Sequence, residues 1–139
     1  MKGKILNAKT QGRVTNVTKQ TKYGTFHGRV TCADEDMDVQ NELDGYLFAE
    51  TKCDIQAHKK RAQFLEQRAI GIEHAYNVLK NSGISADDLT MKKLNRQVKI
   101  AQREASIARD VYIFSKRYFD SLVTSSIATR RRIKEMNKD

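Results

Sequence analysis

The chain has 139 residues, a formal net charge of +9, no proline and two cysteines. That length suits one domain with a real core plus an appendage, and two isolated cysteines exclude a disulfide framework or a paired metal-ligand motif. The positive balance points to nucleic acid, an anionic surface or an acidic protein as partner.

The charge is segregated along the chain. Residues 1–33 hold seven Lys and Arg and no acid, and residues 34–58 hold eight Asp and Glu against one Lys. Sorted charge of this kind builds a directional field that selects oppositely charged partners.

Residues 1–33 are rich in Thr, Val and Gly and contain Gly-Arg-Val-Thr twice, at 12–15 and 28–31. Two similar strands are expected, forming a basic β-ribbon with Lys19 and Lys22 near its tip, and Lys4 to Ala8 can add a third strand. The ribbon interleaves Lys9, Arg13, Lys19, Lys22 and Arg29 with Tyr23, Phe26 and His27. Cations neutralise phosphates and aromatic faces stack on bases, so these eight residues are the candidate nucleic-acid contacts. The competing reading packs Tyr23 and Phe26 inward and leaves the lysines to solvate an exposed sheet.

From about residue 36 apolar residues recur at helical spacing through Val39, Leu43, Leu47, Cys53, Ala57, Leu65, Ala69, Ile72, Tyr76 and Leu79. This first long helix is expected to end at Asn81-Ser82-Gly83, with Gly83 as a left-handed cap and Gly45 as the place where it breaks. Ser85 then reads as the N-cap of a second helix, with Asp87 and Asp88 in its first turn. That helix runs on through Leu94, Val98, Ala101, Ala105, Ala108 and Tyr112, and weakens at Thr124-Ser125-Ser126. So short a connection makes the two helices antiparallel.

The expected fold is therefore α+β. A basic β-hairpin or small antiparallel sheet over 1–33 precedes a long antiparallel, coiled-coil-like two-helix hairpin over 34–139, turning near 81–85. A narrow two-helix seam leaves aromatic residues over, so Val111, Phe114, Tyr118 and Phe119 read as core or as the interface of a homo-oligomer.

Arg130, Arg131, Arg132 and Lys134 form a second basic patch. Turning the hairpin about Gly83 sets Arg130 to Arg132 opposite Asp36 to Asp34, where each cluster neutralises the other and suits its own helix terminus. The same turn sets Ala101 and Ala105 opposite Leu65 and Arg61.

No nucleophile elbow, phosphate-cradling glycine loop, dinucleotide fingerprint or zinc spacing is present, and no motif identifies a family. Neither metal nor cofactor is expected. Nor is a secretory leader or a spanning helix, which makes the expected setting cytoplasmic and the expected partner something other than a membrane. The leading expectation is a non-enzymatic, oligomeric nucleic-acid-binding accessory protein, in the style of small basic phage or mobile-element proteins. The alternatives are a helical-hairpin adaptor or inhibitor that docks on another protein, and an oligomer that binds a small anionic, nucleotide-like ligand.

Overall fold

A computed structural model describes residues 1–138. Three antiparallel strands, β1 (Lys4–Gln11), β2 (Val14–Thr21) and β3 (Gly24–Thr31), precede a 3-10 helix (Asp34–Val39) and two long helices, α1 (Glu42–Asn81) and α2 (Leu89–Met136). The strands form a meander in the order β1-β2-β3. Both sheet connections are two-residue turns, and glycine supplies the positive backbone angle at Gly12 (φ 59°) and Gly24 (φ 136°).

The chain divides into two compact units, one of residues 1–57 and 113–139, the other of residues 58–112. The boundary expected at 33/34 falls inside the first unit. There the sheet lies on the start of α1. Thr15, Val17, Lys19 and Thr21 alternate with exposed or half-exposed residues along β2, so that strand turns one face inward. Val17 joins Ala49 and Cys53 in a buried cluster, with Phe26, Val30 and Tyr46 packed against it.

Small residues set the spacing between sheet and helix. A Cβ at Gly28 would stand 1.9 Å from the Ala49 carbonyl oxygen, and one at Gly45 would stand 2.7 Å from Thr15 Oγ1. Gly45 was expected to break the helix, but it lies inside α1 because close approach to β2 requires the missing side chain. The interruption comes earlier, at Gln40 (ψ 132°). Asn41 then caps α1, its Oδ1 accepting the Asp44 N–H at 3.1 Å.

Lys52 and Gln56, one helical turn apart on α1, donate to the carbonyls of Arg29 and His27 at 2.9 and 2.7 Å. These bonds cap part of the β3 edge, while β1 is exposed along nearly its whole length.

In the second unit α1 and α2 run antiparallel. Ala69, Ala101 and Ala105 form a buried cluster flanked by Leu65 and Ile72. Arg109 makes two hydrogen bonds to Glu66, both at 2.8 Å, and Arg68 pairs with Glu104 at 3.4 Å. The register differs from the expected one by about two helical turns, since Glu66 bonds Arg109 rather than facing residue 100 and Ala101 packs beside Ala69 rather than opposite Leu65 alone.

The connection explains the shift. Gly83 does cap α1, at φ 90°, with Gly83 N–H bonded to Lys80 O and Ile84 N–H to Leu79 O as in a Schellman ending. Ser85, however, does not start α2. Its Oγ accepts the Asp87 N–H within a turn, and Asp88 is the cap, its Oδ1 accepting the Thr90 N–H at 2.9 Å. α2 begins at Leu89 and runs unbroken past Thr124-Ser125-Ser126 to Met136.

Candidate nucleic-acid interface

The strand registers decide what the outward side of the sheet presents. Directly opposed residues on neighbouring strands share a face. Because Lys9 pairs with Asn16 and Asn16 with Arg29, these three form one outward row. Asn7, Thr18 and His27 form the next, Lys4, Gln20 and Thr25 a third, and Gln11, Val14 and Thr31 a fourth. The bulge between Ile5 and Asn7 is what keeps Lys4 on this face. Lys22 stands exposed at the β2–β3 turn, its ammonium 5.2 Å from the centroid of Tyr23.

This grid contains three cations, four side-chain amides, several threonine hydroxyls and no carboxylate. His27 is its one ring, held by a 2.9 Å hydrogen bond between Nδ1 and Thr18 Oγ1.

Of the eight residues singled out from the ribbon, Lys9, His27 and Arg29 lie on the outward face and Lys22 at its end. Lys19 does not. It was expected near the tip, yet it is 3 % exposed, with Nζ donating to Asp54 Oδ1 at 2.8 Å, Glu50 Oε1 at 2.9 Å and the Met1 carbonyl at 2.7 Å. Burial pulls its pKa down, but the hydrogen bonds it donates to Asp54 and Glu50 and the charges of those carboxylates outweigh that, so the ammonium is held above its ordinary value. Phe26 also faces inward, into the Val17 cluster. Arg13 sits at the β1–β2 turn and pairs with Asp34. Tyr23 is half-buried at the other turn.

The second basic patch is largely consumed within the first unit. Arg130 clasps Asp44 through two hydrogen bonds of 3.0 and 3.2 Å, Arg131 reaches Asp36 at 2.9 Å and Asp38 at 3.4 Å, and Lys134 reaches Asp38 at 2.8 Å. The Lys134 hydrogen bond holds the Asp38 carboxyl below its usual range. Arg132 stays exposed. The acidic start and basic end do neutralise each other, but Arg130 meets Asp44 rather than Asp36.

Sequence reasoning missed Lys4, Asn7, Gln11, Asn16 and Gln20 as members of the outward grid. The signal that finds them is the strict alternation of Val14–Thr21, read together with the two-residue turns that fix pairing on either side.

Among the described residues no group of three or more His, Cys, Asp or Glu is placed to hold a metal ion. No described helix is long and apolar enough to cross a membrane. In comparison with known proteins, no family model, no curated sequence and no solved structure matches this chain.

Proposed function

We propose that this is a non-enzymatic nucleic-acid-binding protein whose outward sheet face enters the major groove of duplex DNA. The observation that carries the reading is the acid-free grid of Lys4, Lys9 and Arg29 interspersed with Asn7, Asn16, Gln11 and Gln20. Lysine and arginine neutralise phosphates, and Asn and Gln side chains read adenine edges. Outer strands of a three-stranded sheet stand about 10 Å apart, which suits a major groove roughly 12 Å wide and not a minor groove of about 6 Å. Single strands are a poorer match, because Phe26 faces the core and Tyr23 is half-buried, leaving His27 as the one ring on the face for stacking. Duplex RNA is poorer still, since its major groove is too narrow to read.

The test is a gel-shift titration at low salt with duplex DNA, single-stranded DNA and duplex RNA, repeated with the double variant Lys9→Glu, Arg29→Glu. Duplex DNA is expected to be retained most strongly and the double variant to lose that retention by at least about tenfold. No retention of any nucleic acid, or retention indifferent to the double reversal, overturns the reading.

A second reading, a protein that docks on a protein or on its own copies, draws on exposed apolar side chains. Phe64, Ile70 and Ile107 in one unit, and Phe114 and Tyr118 in the other, stand in solvent, whereas Phe119 turns inward to Phe48. Light scattering at rising concentration separates self-association from capture of a different partner.

A further inference from the structure

Within the first unit a cleft of about 420 Å³ opens where the end of β3, the 3-10 helix, the first turns of α1 and the last turns of α2 come together. Its volume falls in the roughly 300–1,000 Å³ range of small-molecule sites. Val30, Phe48, Phe119, Val123 and Ile127 supply an apolar wall, in which the Phe48 and Phe119 rings meet edge to face with centroids 6.5 Å apart.

The charges around this wall are the informative part. Six charged side chains line the cleft, and four of them are already matched: Arg13 with Asp34, Arg130 with Asp44, and Asp36 with Arg131. Two of opposite sign are left. Lys52 donates to the Arg29 carbonyl and lies 5.6 Å from the centroid of Phe119, but among the described residues no carboxylate pairs with it. Likewise no described cation pairs with Asp120, the sequence neighbour of that same Phe119. An ammonium beside an apolar wall and without a counter-charge favours an anion, and a spare carboxylate favours a cation. A nucleotide satisfies only the first demand and sets its phosphates against Asp36, Asp44 and Asp120. One ligand class satisfies both.

The geometry points to a binding site for a small zwitterion with an apolar body, the chemistry of a hydrophobic α-amino acid. Its carboxylate is received by Lys52, its ammonium is drawn to Asp120, and its side chain lies against Phe48 and Phe119. The cleft takes only Thr31 from the outward grid, the charged and aromatic groups that receive the ligand lie outside it, and the site does not depend on nucleic-acid binding.

Calorimetric titration of the full chain with L-phenylalanine tests this, with 3-phenylpropionate, which lacks the ammonium, and phenethylamine, which lacks the carboxylate, as companions. Saturable binding of L-phenylalanine is expected, with each companion weaker by about tenfold or more. Lys52→Met and Asp120→Asn are each expected to weaken L-phenylalanine by about tenfold while leaving the circular dichroism spectrum unchanged. Asp120 is exposed, so its variant keeps the measurement decisive even if Lys52→Met disturbs folding. Lys9→Glu, Arg29→Glu is expected to bind L-phenylalanine as the parent does. Absence of saturable binding at millimolar concentration, equal binding of the three compounds, or binding indifferent to Asp120→Asn overturns the proposal.

Discussion

Lys19 is the residue at which charge and burial conflict most sharply. Its ammonium sits on the inner face of β2 because Glu50 and Asp54, four residues apart on α1, aim two carboxylates at the same point. Replacing it with methionine keeps the apolar stem but leaves those two acids with only the N-terminal ammonium, 3.4 Å from Asp54 Oδ2, as counter-charge. Both acids are partly exposed, so water relieves some of the strain, and the expected cost is about 2 kcal/mol in chemical denaturation at neutral pH rather than the ~3–5 kcal/mol of a fully buried broken pair. The sign with pH is distinctive. In the parent, the raised Lys19 pKa adds stability that is complete below its unfolded value near 10.5 and fades as pH climbs through the folded one. An advantage of the parent over Lys19→Met that grows as pH climbs above 10.5 rejects this account. Nothing about Lys19 alone reveals its direction in the sequence. It belongs to a run of cations, and only the pairing Thr18–His27 and Val17–Gly28 shows that it shares a side with Val17 rather than with Lys9.

At the scale of elements, the sheet and α1 are held close by an absence of side chain. Gly28→Ala drives a methyl into the Ala49 carbonyl, so it is expected to cost more than about 3 kcal/mol or to abolish folding. Gly71 offers a control, because its Cβ position in the middle of α1 is open, and Gly71→Ala is expected to stabilise by about 0.5–1 kcal/mol. Thermal unfolding of the two variants side by side checks both signs, and similar effects contradict the close packing described. The three strands and both helices were legible in the sequence, the strands from β-branched residues between glycines and the helices from their apolar period. Gly83 was legible as a cap for the same reason that it works, its freedom at positive φ. The start of α2 was not, because Ser85 and Asp88 are both good caps and local propensity cannot rank them. That three-residue displacement lengthens the connection and shifts the seam along α1. Gly45 misled for a complementary reason: propensity counts its cost within the helix and cannot see Thr15 across the gap.

For the molecule as a whole, the sorted charges of the sequence resolve into two kinds. The acids at positions 36, 38 and 44 are engaged by Arg130, Arg131 and Lys134, so much of the acidic segment is cancelled from within. Among the described residues no carboxylate pairs with Lys4, Lys9 or Arg29 of the outward sheet face. DNA affinity is therefore expected to fall with salt, with a slope of log K against log salt near −3 to −4 if Lys4, Lys9, Lys22 and Arg29 each neutralise one phosphate. Substituting one of the four should make the slope shallower by about 1, whereas Arg132→Gln should leave it unchanged. A slope that Arg132→Gln alters as much as Lys9→Gln does shifts the binding surface to the end of α2. Acid acts elsewhere: the Lys134 hydrogen bond depresses the Asp38 pKa, so that contact stabilises above pH 3.8 and is lost as pH falls through the folded value. The candidate interface was thus half legible, with its sign and four of its members readable from composition, and its amides hidden until strand pairing assigned them a side.

The inward ammonium of β2 has one more effect. Sliding that strand by a single position past its neighbours would swing Lys19 out to water and present Thr18 or Gln20 to two carboxylates that need a cation. A greasy residue in the same place would tolerate such slippage with far less discrimination. The ion triad thus acts as an index pin, rejecting misthreaded versions of the meander by leaving their acids unanswered.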